Sequence, residues 1–291
     1  MAMDLEAAIS FVATHARILE RRRLEHLLGG TAPEAVRAAL DAFRNPDGGY
    51  GWALEPDLRS VTSQPVAAMH ALEVLADLRE TGPRARQLLD WLAGHSLPDG
   101  GVPFGLPYSD TAGSAPHWAG ADPTVSSLQM TTQLAAHAHR LARHRPDVAE
   151  HPWLAAATSY CLDVIERTVE APSAYELMFA MRFLDVVAPH TPRARPLLDR
   201  FAGFVNVAGP TPVAGGAGGE VLYPLDFTPD PDAPSRGLFS PEAVATDLRR
   251  LAGQQQPDGG WNITFTAFSP AAALEWRGYA TVQAVLVLRS G

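Results

Sequence analysis

The tetrapeptide Pro-Asp-Gly-Gly occurs three times in the chain, beginning at Pro46, Pro98 and Pro257, and each copy is followed by a large or apolar residue, Tyr50, Val102 and Trp261. The copies stand 52 and then 159 residues apart, the second interval being three steps of 53, so one period of 52 to 53 residues runs through the sequence. Proline presets φ for a turn, the aspartate can bond nearby backbone amides, and the two glycines accept positive φ. Each copy therefore predicts a tight reversal after a helix, with the following side chain buried against the neighbouring helices.

Between the turns the apolar spacing is helical. Pro33 to Phe43 carries Val36, Leu40 and Phe43, and Gln64 to Leu78 carries Val66, Met69, Leu72 and Leu75 at three-to-four spacing. The same pattern predicts helices over Arg84–Leu92, Thr124–Leu141, Trp153–Val169, Ala174–Val187, Pro196–Val205, Pro241–Leu251 and Trp276–Arg289. With an opening helix, the count is ten to twelve helices and no strand signal strong enough to build a sheet.

The 291 residues are 46% hydrophobic and 19% charged, a globular composition long enough for a large core. A formal charge of −9 argues against nucleic acid as a partner. No lysine occurs, which removes Schiff-base chemistry and the Walker A phosphate loop together. The one cysteine, Cys161, can form no internal disulfide and no cysteine-rich zinc site. No apolar run reaches bilayer length, and charged residues interrupt the N-terminal stretch, so a cytoplasmic protein is expected.

The segment Gln254-Gln255-Gln256-Pro257-Asp258-Gly259-Gly260-Trp261 resembles the QW motif of the squalene-hopene cyclase and protein prenyltransferase superfamily. The resemblance implies an all-α fold, the α/α toroid, a double ring of about five to six helix pairs that Gln and Trp tie together. A single domain over residues 1–291 is expected, with an irregular loop insertion at 207–239. The motif is degraded at the first two turns: Phe43 and Arg44 stand where Gln is expected, and the second turn has neither Gln nor Trp.

A helical ring would enclose a hollow, and the segments that follow the turns would line it. In four of them an aromatic lies within a few residues of an acid: Trp52 with Glu55, Asp57 and Arg59; Trp118 with Asp122; Tyr223 with Asp226 and Phe227; and Glu275, Trp276 and Arg277. Asp57, Asp122 and Asp226 are the candidate catalytic acids, and the remaining residues of these segments are candidate substrate contacts. Asp57 and Asp122 also suit helix N-caps. A carboxyl enclosed by aromatic faces holds its proton tightly, can protonate an alkene, and leaves a cation that those faces stabilise.

The resemblance implies an isoprenoid cyclase acting on a hydrophobic substrate by acid-initiated carbocation chemistry. The Asp-x-Asp-Asp acid motif of class II cyclases is incomplete at Asp230-Pro231-Asp232-Ala233, and Ser159 stands where a prenyltransferase zinc site has Asp. No metal or cofactor is expected. Arg59, Arg236 and Arg277 are candidates to pair with a diphosphate or carboxylate head. Two alternatives stay open: a non-catalytic toroid binding a lipid or protein partner, and a glycosidase using Glu55 and Glu275. The expected partner is a hydrophobic small molecule, with peripheral membrane contact compatible and no transmembrane segment.

Overall fold

The computed structural model describes residues 3–109, 111–215 and 219–291. These residues form fourteen α-helices and one two-stranded ladder, the all-α class expected. The helices are α1 (Leu5–His15), α2 (Ile18–Leu27), α3 (Pro33–Asp41), α4 (Pro65–Asp77), α5 (Arg84–His95), α6 (Pro116–Ala119), α7 (Leu128–Ala142), α8 (Pro146–Ala149), α9 (Pro152–Arg167), α10 (Ala174–Val187), α11 (Ala194–Ala202), α12 (Pro224–Phe227), α13 (Pro241–Gly253) and α14 (Pro270–Ser290). Strands β1 (Thr211–Pro212) and β2 (Val221–Leu222) pair antiparallel. The 207–239 stretch thus holds this ladder, α12 and a 3-10 helix at Pro234–Leu238, while Gly216 lies outside the described residues.

Two helix starts differ from expectation by more than a couple of residues, and serine caps explain both. The hydroxyl of Ser127 accepts the Met130 amide at 3.2 Å, so α7 begins at Leu128 rather than Thr124. The hydroxyl of Ser269 accepts the Ala272 amide at 3.1 Å, and Pro270 fits the first helical position, so α14 begins six residues before Trp276.

The chain divides into two compact units, one running to Leu40 and resuming at Val205, the other from Asp41 to Phe204. In the second unit α4, α7 and α10 pack side by side as one row, and α5, α9 and α11 form another row against it. α4 is buried from Pro65 to Ala76, as a helix enclosed by neighbours must be. In the first unit α14 packs against α1, α2 and α13 around Phe11, Leu24, Trp261, Val282 and Val285.

All three turns close in the same way. The amide before the proline donates to the carbonyl of the second glycine: Asn45 to Gly49 at 2.9 Å, Leu97 to Gly101 at 2.8 Å, Gln256 to Gly260 at 2.8 Å. The aspartate Oδ1 accepts the second glycine's amide at 2.9, 3.0 and 3.1 Å. Gly48, Gly100 and Gly259 hold φ of 92°, 90° and 92°, and each presses on a helix. A Cβ on them would meet the carbonyl oxygen of Gln87, Ala156 or Ala7 at 3.2, 2.8 or 2.1 Å. Glycine is needed there for conformation and for approach alike. Tyr50, Val102 and Trp261 are buried, as the motif predicts.

Candidate functional site

The segments after the first and second turns are joined within one unit. Leu58 bridges Ser114, the Ala115 amide donates to the Asp57 carbonyl at 2.8 Å, and the Arg59 amide donates to the Ser114 hydroxyl at 3.1 Å. The Gln64 side chain pairs with the Leu106 backbone through two bonds of 3.0 and 3.2 Å. Three residues beyond Ala115, Trp118 stacks on Phe104 with ring centroids 4.7 Å apart. Asp57 is 6% exposed and Trp118 7%.

The first segment enters this arrangement through a strained bend. Trp52 and Ala53 lie in the left-handed region at φ 55° and 59°, which costs a non-glycine residue about 1–2 kcal/mol. The Trp52 indole, 52% exposed, is anchored by donating to Asn45 at 2.7 Å. Beyond the bend the chain dives inward: Leu54, Glu55, Asp57 and Leu58 are all buried.

Glu55 meets a partner the sequence did not single out. His70 Nε2 of α4 lies 2.8 Å from Glu55 Oε2, and His70 Nδ1 lies 3.8 Å from Glu73 Oε2, all three residues being buried. Burial opposes charge on this imidazole, but the bonds to Glu55 and Glu73 outweigh it and raise its pKa to about 9. His70 is therefore an imidazolium at neutral pH, donating to Glu55. The other Glu55 oxygen accepts the Asp57 amide at 3.3 Å, so the loop backbone is tied through Glu55 to α4. Nearby, burial lowers the His137 pKa to about 3, with Arg140 adding to the effect.

The remaining acids are held differently. Asp122 is exposed, and its Oδ1 accepts the Thr124 hydroxyl at 2.6 Å and the Thr124 amide at 2.8 Å, which lower its pKa. Asp226 caps α12 by accepting the Tyr223 amide at 2.7 Å. The Tyr223 ring lies under the Arg250 guanidinium at 3.6 Å, Phe227 is buried, and the Asp247 carboxylate links Arg250 to the Leu225 amide. Glu275 approaches Arg17 at 3.9 Å, and Trp276 packs edge-on against Phe265 and Tyr279. Arg277 binds Asp258 of the third turn through two bonds of 2.9 and 2.8 Å and covers the Phe11 ring at 4.5 Å. A hollow of about 550 Å³ lies beside it, lined by the Asn262–Pro270 stretch and Ala273. Asp230 accepts the Asp232 amide in an exposed turn.

Among the described residues no cluster of three or more His, Cys, Asp and Glu side chains is arranged to hold a metal ion, and no helix is long and apolar enough to cross a membrane. Burial raises the thiol pKa of Cys161 well above its usual value, which leaves it inert.

No known family profile and no curated protein matches this sequence. Solved structures do match. The type II terpene cyclase MstE from Scytonema, bound to its product merosterolic acid A, superposes with a TM-score of 0.57 at 13% identity, over 98% of this chain and 95% of the other. The two share a fold. A second MstE structure, bound to its substrate geranylgeranyl dihydroxybenzoate, gives 0.54 at 13% identity over 98% and 88% of the two chains. A protein from Actinoplanes gives 0.53 at 18% identity, over 98% and 88%. Identities this low establish the terpene cyclase-like fold; the chemistry has to come from the residues.

Within that fold, the structure brings Glu55, Asp57, Arg59 and Trp118 of the predicted site together. Asp226, Tyr223, Phe227, Glu275, Trp276 and Arg277 belong to the other unit and form local contacts there. His70, Glu73 and Phe104 complete the first group. The one available signal for His70 was Glu73, three residues along the same helix and so on the same face.

Proposed function

We propose that this chain is an isoprenoid cyclase-like enzyme in which Asp57 is the initiating acid. The observation that carries the reading is the burial of Asp57 in a loop bonded to the segment of the stacked Trp118 and Phe104. In this reaction the Asp57 carboxyl gives its proton to one carbon of an alkene. The π electrons form the new C–H bond, a second alkene closes a ring on the resulting cation, and loss of a proton elsewhere ends the sequence as a net isomerisation. Aromatic faces favour the cation by cation–π attraction, and exclusion of water protects it from capture. Asp122 and Asp226 are assigned secondary roles because their carboxylates close local backbone turns.

The second reading, a non-catalytic binder of a lipid, is favoured by the exposed turn at Asp230 and Asp232, where an acid motif would otherwise stand. Incubation with geranylgeraniol in deuterated water separates the two. Acid-initiated cyclisation yields a cyclic isomer carrying one solvent deuterium on the ring carbon that was protonated. Recovery of bound, unlabelled geranylgeraniol would instead establish the binder.

A further inference from the structure

Two hydrogen-bond donors in the segment after the second turn are closed off from water. The Trp118 indole nitrogen and the Tyr108 phenol oxygen are both buried, and neither meets a partner among the described residues. The indole is also fixed in place. Phe104 stacks on it with an interplanar angle of 12°, its own amide donates to the Ala115 carbonyl at 3.0 Å, and the Ala115 amide donates to the carbonyl of Asp57. A donor held this rigidly and kept from solvent is satisfied when an acceptor is brought to it.

We infer that Trp118 and Tyr108 recognise an oxygen of the substrate, so that the isoprenoid this chain takes carries a neutral hydroxyl or carbonyl at one end instead of being a hydrocarbon throughout. The inference rests on the isoprenoid reading above. A neutral oxygen suits these donors, because indole N–H and phenol O–H carry no charge to offset an anion. A site built around a buried donor discriminates strongly against an analogue that lacks the acceptor, because the donor is then left unsatisfied.

Calorimetric titration tests this with two probes, geranylgeraniol and the tetraene hydrocarbon lacking only its hydroxyl. The wild-type protein is expected to bind the alcohol at least about tenfold more tightly, about tenfold being the worth of one well-made hydrogen bond. Trp118→Phe keeps an aromatic ring for stacking and loses the N–H, and Tyr108→Phe loses only the hydroxyl. Each variant should narrow the ratio of the two affinities, Tyr108→Phe by weakening the alcohol alone. Equal wild-type affinities, or a preference that survives in both variants, overturn the inference while leaving the isoprenoid reading intact. Failure of both probes to bind overturns that reading and this inference with it. Tyr108→Phe supplies the test if Trp118→Phe does not fold.

Discussion

The first turn with the loop that follows it, residues 46–64, and the third turn with its following segment, residues 257–277, start from the same tetrapeptide and diverge within a few residues. Both turns close with the same backbone bonds and press a glycine onto a helix carbonyl. The Asp47 carboxylate then binds Ser63 and Trp91, whereas Asp258 binds the Arg277 guanidinium. The tryptophan after the third turn is buried, 2% exposed, while Trp52 stands half in solvent. After the first turn the acids Glu55 and Asp57 go inward and Glu55 binds His70; after the third, Glu275 is half-buried and faces Arg17. The repeat preserves the joint between helices and leaves the chemistry of each copy free to change.

The largest effect expected from this contrast is on stability. Trp261→Ala removes a core indole whose N–H donates to the Leu251 carbonyl at 2.7 Å, and should cost about 3–5 kcal/mol in urea unfolding. Trp52→Ala, two residues beyond Tyr50, which holds the place of Trp261 in the first copy, should cost about 1 kcal/mol or less, because much of that ring is already solvated. Equal losses would remove the distinction between a packed and a rim tryptophan.

Next in size is the ion cluster. His70→Gln leaves two buried carboxylates without their cation and should cost about 3 kcal/mol. Arg277→Gln in the third copy breaks a partly exposed pair and an aromatic contact, and should cost about 1 kcal/mol.

Stability should also depend on pH. His70 titrates near 9 in the folded chain against 6.5 when unfolded, so its contribution is complete below about 6.5 and disappears as pH rises through 9. Burial holds His137 near 3 and His139 near 4, so the unfolded chain takes up their protons first and stability falls as pH drops below 6.5. Melting temperature should therefore be highest near pH 6.5, and His70→Gln should flatten the alkaline side alone. An alkaline limb unchanged by the substitution would show that His70 is not the titrating group.

The sequence made the joints legible and the interior less so. Helix patterns, the turns and the burial of Trp261 could be read because each depends on residues close together in the chain. The pairing of Glu55 with His70 depends on a loop doubling back across fifteen residues through two left-handed residues that are not glycine, and no local rule predicts that bend. The commitment of Arg277 to Asp258 was likewise hidden, since the two are nineteen residues apart and the intervening segment shows no period. Asp122 corrects the expectation of a helix N-cap: its carboxylate closes a local turn on Thr124, and Ser127 caps the helix that follows.

The most direct test of the account compares three single substitutions, Asp57→Asn, Asp122→Asn and Asp226→Asn, by product formation from geranylgeraniol in deuterated water, with binding measured in parallel. Asp57→Asn is expected to abolish the labelled cyclic product while still binding the alcohol, and the other two variants to retain turnover. Full turnover by Asp57→Asn, or loss of product in Asp122→Asn alone, would contradict it.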